Sequence, residues 1–246
     1  MGMFDPSDEM RTFNEQKIGL SMIAEFLNRD KEKHVAQKID LLRARYDEFI
    51  RYCDDQFKNF INELDQRGEL DNTIIIFTSD HGESFEHNYI THAGKHMYEQ
   101  VTHVPLIIKE PGQVDGKIVN DIVEQMDIPA TILEFAGITV PTWMEARSVV
   151  PLIRGESLPS RPAFAMNLEK NMSRDHKVEN GTIAVWDGDY KLIHFLEEDK
   201  SMLFNLAEDP GEVVELSEKE PEVRQKLYSL IMQALNEVNE NRLSAK

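Results

Sequence analysis

The residues best suited to chemistry lie between two apolar runs. Ile74-Ile75-Ile76-Phe77 stops at Ser79-Asp80-His81-Gly82, and Val104-Pro105-Leu106-Ile107-Ile108 follows later. Five of the chain's eight histidines fall between them: His81, His87, His92, His96 and His103. Asp80 followed by His81 offers one oxygen and one nitrogen donor, a pair suited to a divalent cation. Short β-branched runs ending in turn signals predict buried strands, here 73–79 and 104–109, and buried strands favour parallel α/β sheets. Ligands in such sheets bind beyond the carboxyl ends of the strands. Asp80 and His81 are therefore predicted on a site-bearing loop just past a strand.

The flanking pattern supplies the elements that hold this loop. From His34 to Arg67, apolar residues such as Leu42, Tyr46, Phe49, Ile50, Phe57, Phe60 and Leu64 recur at spacings of three and four. That predicts a long amphipathic helix packed on a sheet, with Gly68 at its C-terminal stop. A shorter helix is read over Thr12–Leu27. Tyr98 to His103 predicts a short helix or turn, with the His103 imidazole satisfying loop backbone. Asp127 is predicted to cap a helix whose apolar face carries Ile128, Ile132 and Leu133, closed by Gly137. Pro141 to Ser160 reads as loop. Beyond Arg161 the period shortens, predicting strands at 164–166, 183–186, 191–195 and 202–205. Trp186-Asp187-Gly188-Asp189-Tyr190 is a hairpin signal. After Pro221, Val223, Leu227, Leu230, Ile231 and Leu235 define one face of a terminal helix.

Composition narrows the function classes. The 246-residue chain carries a net charge of −18 and is 41% hydrophobic, a soluble-protein composition. General nucleic-acid binding is excluded, because it needs basic surface to displace counterions. An anionic substrate is repelled unless cations are concentrated locally. The single cysteine, Cys53, lies inside the helical pattern and reads as a packed small hydrophobe, with no intrachain disulfide available. Met1 to Pro6 has no apolar core of the kind a signal peptide needs, and no stretch approaches transmembrane length.

Several motifs occur in a shared order: Ser79-Asp80-His81-Gly82-Glu83, Gly94-Lys95 with Tyr98-Glu99, and Thr102-His103-Val104-Pro105-Leu106-Ile107. Asp127-Ile128-Pro129-Ala130-Thr131, Asp189-Tyr190-Lys191-Leu192-Ile193, Leu203-Phe204-Asn205-Leu206 and Glu208-Asp209-Pro210-Gly211-Glu212 follow. On these the chain resembles the sulfatases, within the alkaline-phosphatase-like superfamily of metal-dependent esterases. The resemblance implies an α/β fold. Residues 1–160 would form the C-terminal part of the catalytic α/β sandwich, and 161–246 a small antiparallel sheet with a terminal helix. It makes Asp80 and His81 metal ligands, with Ca²⁺ the usual ion and Mg²⁺ an alternative. Lys95 matches the lysine that contacts the sulfate ester oxygens. His92, three residues before it, either assists proton transfer to the leaving group or is a structural hydrogen-bonding residue. The implied substrate is a sulfate ester, small molecule or glycan.

The family's nucleophile, a formylglycine made from Cys or Ser in Cys/Ser-x-Pro-x-Arg, is expected well before the Asp80-His81 loop and has no counterpart there. Ser157-Leu158-Pro159-Ser160-Arg161 has the spacing but sits too late in the chain. The chain is expected to be a C-terminal portion whose nucleophile lies in a missing N-terminal part, so that it is inactive alone. Self-association is expected through an exposed apolar sheet face. The alternatives are a phosphoric or phosphonic ester hydrolase of the same superfamily, and a non-catalytic binding module.

Overall fold

The computed structural model describes residues 33–244 except 88, 93, 169–170 and 172–175. The helix predicted over Thr12–Leu27 lies outside these residues. The chain divides into two units, one running through His92 and including Val104–Val114, the other made of Ala93–His103 and Asp115–Lys246.

The first unit begins with helix α1 (Lys33–Gln66), as its three-and-four spacing predicts. Gly68 ends it at φ +69, where its amide donates to the Asp65 carbonyl and the Glu69 amide donates to the Leu64 carbonyl. That closing turn favours a residue without a Cβ. Strand β1 (Ile75–Thr78) comes next. Beyond it lie β2 (Ser84–Glu86), β3 (Tyr89–Thr91) and β4 (Leu106–Lys109); the short helix α2 (Glu99–Thr102), between β3 and β4 in sequence, belongs to the second unit. Strands β2 and β3 form a hairpin whose turn holds His87 at φ +57. The α1 stripe meets these strands through Phe57, its ring centroid 5.0 Å from that of Phe77, and through Tyr46 edge-on to Phe85 at 5.6 Å. Much of the stripe is not packed as predicted: Phe49, Ile50 and Phe60 are 47%, 54% and 52% exposed.

β1 and β4 pair antiparallel, with Phe77 opposite Ile107, which corrects the parallel expectation. Apolar, β-branched composition reports burial, whereas direction is set by the connection. A parallel pair needs a crossover of a dozen residues or more, usually a helix. Here the connection holds a hairpin and the four-residue α2. The two strands are also less buried than predicted, Ile107 being 61% exposed.

The second unit is built on a meander of four antiparallel strands: β5 (Ala163–Asn167), β6 (Thr182–Asp187), β7 (Tyr190–Phe195) and β8 (Lys200–Asn205). Gly188, at φ +61, and Asp189 form the two-residue turn joining β6 to β7, as the hairpin signal predicts. Alternation sorts the side chains onto two faces. Ala184, Ile193, Phe195 and Phe204 pack with Met97 and Tyr98 on one. Ile183, Val185, Leu192 and Leu203 pack on the other, against Leu227 and Ile231 of the terminal helix, Pro221–Ser244.

Two helices lie between these parts of the sequence. They are α3 (Asp127–Phe135) and the four-residue α4 (Val150–Ile153), so the terminal helix is α5. Asp127 is not the cap of α3; Met126 is. Instead the Asp127 carboxylate is buried in the first turn. It accepts from the amides of Glu124 and Arg147 and from the Arg161 guanidinium at 2.6 Å. The buried face of α3 carries Ala130 and Thr131, while Ile132, predicted inside, is exposed.

Candidate active site

Asp80 and His81 sit on the loop that leaves β1 after Thr78. The loop is shaped by short-range bonds. The Ser79 hydroxyl donates to the His81 carbonyl at 2.7 Å, and the His81 amide donates to Asp80 Oδ1 at 3.0 Å. That amide, followed by the His81 imidazole, holds the Asp80 carboxyl below its usual range. Asp80 is 87% exposed at its side chain, so the carboxylate is presented, not buried.

His81 Nδ1 lies 3.0 Å from the Gly82 carbonyl oxygen. A carbonyl only accepts, so Nδ1 carries the hydrogen and Nε2 presents a lone pair. That Nε2 is 3.7 Å from Asp80 Oδ2. Both atoms are within reach of a single ion with ligand distances of about 2–2.5 Å. Among the described residues no cluster of three or more His, Cys, Asp or Glu donors forms. The pair therefore fits as two adjacent ligands of a shell, not as a whole site for a cation that takes six or more.

His92 joins this group through the β2–β3 hairpin. Pairing of Ser84 with Thr91 sets Glu83 and His92 side by side at the open end of the ladder. The His92 Nδ1–H donates to Glu83 Oε2 at 2.7 Å, which leaves Nε2 as the working nitrogen. The His92 ring stacks on His81, centroids 4.1 Å apart and planes 23° from parallel. A carboxylate orienting an imidazole is the arrangement of a general acid or base. Asp80, His81 and His92 are thus brought together in one unit, with Glu83 added.

Lys95 belongs to the second unit, where the meander and the segment after β8 hold its stretch of chain at three points. The Asn167 side-chain amide of β5 donates to the Gly94 carbonyl at 2.6 Å. The Lys95 ammonium is ion-paired with Glu198, in the turn between β7 and β8, and lies 5.2 Å from the Phe195 ring centroid. The Glu212 carboxylate accepts from the Glu99 amide at 2.6 Å.

The third point is anchored by a buried charge cluster. Lys191 Nζ, with no exposed side-chain surface, lies 2.9 Å from the Glu99 carboxylate and 2.7 Å from that of Glu212. Trp186 Nε1 also donates to Glu99 at 2.9 Å. Burial acts to raise the Glu99 carboxyl, but the Lys191 charge and these bonds outweigh it and leave it lowered. Glu212 lies deeper and faces the Glu99 charge as well, so burial wins and its carboxyl is raised.

The remaining loop histidines take other positions. His96 stacks on Tyr98, centroids 5.9 Å apart. His103 is exposed and pairs with the Glu99 carboxylate at 3.1 Å, not with loop backbone as predicted. Glu83, Glu198, Lys191 and Glu212 received no role from the sequence. Lys191 was the one with a signal: a lysine between Tyr190 and Leu192-Ile193 in an apolar strand needs a buried partner.

Known families, proteins and structures match the chain over most of its length. Residues 7–138 match the Sulfatase family, and residues 86–241 match the family described as N-sulphoglucosamine sulphohydrolase, C-terminal. Arylsulfatase K of Xenopus laevis is 30% identical over 205 residues, covering 79% of this chain and 38% of that protein. The structure of BT4656 in complex with its substrate D-glucosamine-2-N,6-O-disulfate superposes with a TM-score of 0.72 at 25% identity, over 92% of this chain and 47% of that one. The phosphonate monoester hydrolase of Agrobacterium radiobacter shares the fold, with a TM-score of 0.66 at 24% identity over 82% of this chain and 42% of that one. The chain spans less than half the length of each. With the Sulfatase match running over more than half of its residues, the chain belongs to the sulfatase family.

Proposed function

We propose that the chain supplies the metal-ligand and leaving-group residues of a sulfuric ester hydrolase acting on a sulfated sugar, the substrate class of the BT4656 complex. Asp80 Oδ2 and His81 Nε2 would hold part of a divalent ion's shell, Ca²⁺ or Mg²⁺, whose bound form supplies a Lewis acid for the sulfuryl group. Lys95 neutralises charge on the ester oxygens. His92, oriented by Glu83, gives a proton to the sugar oxygen as the sulfur–oxygen bond breaks. The Ser-x-Pro-x-Arg spacing occurs in this chain at Ser157-Leu158-Pro159-Ser160-Arg161, where Arg161 is already bound to Glu124 and Asp127; attack on sulfur is assigned to a nucleophile from elsewhere, and the purified chain alone is not expected to turn over.

The observation that carries this reading is the array Asp80–His81–His92–Glu83 on one loop and hairpin of a sulfatase-family chain. Titration with D-glucosamine 6-sulfate, following the His92 imidazole and Lys95 ammonium resonances by NMR, tests it. The expected result is a shift at both groups that unsulfated glucosamine does not produce. Equal responses to both sugars, or none, would contradict the proposal.

A further inference from the structure

We infer that Glu198 is a specificity-determining residue at Lys95, one that disfavours dianionic esters and so selects sulfate monoesters over phosphate monoesters. The inference rests on the reading of Lys95 as the ester-binding lysine. It comes from where the meander puts charge. β7 ends at Phe195 and β8 begins at Lys200, so Glu198 is presented by the short turn between two firmly paired strands. In that turn Asp199 takes φ +46. The turn carries the Glu198 carboxylate to the Lys95 ammonium, and the Phe195 ring beneath gives the ammonium a fixed floor. The hydrogen bond from Lys95 and its charge hold the Glu198 carboxyl low, so the carboxylate is ionised at neutral pH.

The consequence is electrostatic. An anion that reaches Lys95 meets one positive and one negative charge side by side, not a bare cation. The pair is open to ligand, its side chains 49% and 41% exposed. A sulfate monoester brings one negative charge. A phosphate monoester, whose second pKa is near 6, brings two at pH 8. The tetrahedral shapes are alike, so shape does not separate them, and this fold also serves a phosphonate monoester hydrolase. The repulsion from Glu198 scales with ligand charge, and it falls twice as heavily on the dianion.

The test uses the full chain and the matched probes methyl sulfate and methyl phosphate at pH 8. Protection of Lys95 from acetylation is read by mass spectrometry as each anion is titrated, with Lys200 as the reference lysine. Glu198→Gln keeps the side-chain shape and an acceptor oxygen while removing the charge. Removing a unit charge at about 5 Å in water tightens methyl sulfate about fourfold and methyl phosphate about sixteenfold, so the preference for sulfate falls about fourfold. If both anions protect Lys95 but the substitution changes them equally or not at all, Glu198 sets no specificity and the Lys95 reading survives. If neither anion protects Lys95 in either protein, the Lys95 reading falls and this inference falls with it.

Discussion

The loop bearing Asp80, His81 and His92 and the platform bearing Lys95 are built in different ways. In the first, the contacts are local: Ser79 to His81, two residues apart, and Glu83 to His92, nine apart. The strands beside it are a two-stranded ladder and a hairpin of two three-residue strands, and α1 keeps Phe49, Ile50 and Phe60 exposed. In the second, the contacts are long-range: Lys95 to Glu198 over 103 residues and Lys191 to Glu99 over 92. The sheet beneath is four-stranded and covered on both faces. A two-stranded ladder is marginal by itself. The Asp80–His81 loop is therefore shaped locally but weakly supported among the described residues, whereas Lys95 is positioned by a four-stranded sheet packed on both faces.

The sharpest way to break this contrast is Lys191→Met. It leaves the Glu99 and Glu212 carboxylates without their buried cation, and about 3–5 kcal/mol of stability is expected to be lost, read by denaturant unfolding. A change within about 1 kcal/mol would mean the cluster is not holding the platform. Amide hydrogen exchange compares the two regions directly. Amides of β6 and β7 are expected to exchange about 100-fold more slowly than those of β1 and β4, and equal rates would erase the distinction.

A smaller effect comes from pH. Burial pushes the His194 imidazole below its ordinary value of 6.5, against the Asp199 charge that raises it. A depressed folded pKa means that the neutral form is the one the sheet accommodates. Its stabilisation is present above pH 6.5 and is lost as pH falls through the folded value. His194→Gln is expected to flatten the decline in melting temperature that begins just below pH 6.5; an unchanged profile would assign it to other groups. The smallest effect belongs to the first unit. Arg43 and Glu86 form a 2.9 Å ion pair with both side chains near half exposed, and Arg43→Ala should cost less than about 1 kcal/mol.

The same contrast explains what the sequence disclosed. Strands β5 to β8, the Gly188 turn and the Leu227–Ile231 face of α5 were legible because period-two alternation, a tight-turn glycine and period-3.6 spacing are local signals. The loop carrying Asp80 and His81 was legible as the end of an apolar run. The direction of β1 against β4 was not, since Ile75-Ile76-Phe77 reads alike in either orientation. Ile132 looked interior because neighbouring apolar residues suggested one face, yet tertiary packing chose Ala130 and Thr131. Glu198 and Glu212 carried no local signal, because what each of them holds, Lys95 and the Glu99 amide, lies a hundred or more residues away.

The central claim is that Asp80 and His81 are two ligands of a larger divalent-metal shell. Calorimetric titration of the purified chain with Ca²⁺, beside Asp80→Ala, tests it most directly. With so few protein ligands, binding is expected to be weak, on the order of 10⁻³ M, and lost in the variant. Submicromolar binding that depends on Asp80 would contradict the account by showing a complete site within this chain, and weak binding that Asp80→Ala leaves unchanged would contradict the assignment of the ligands.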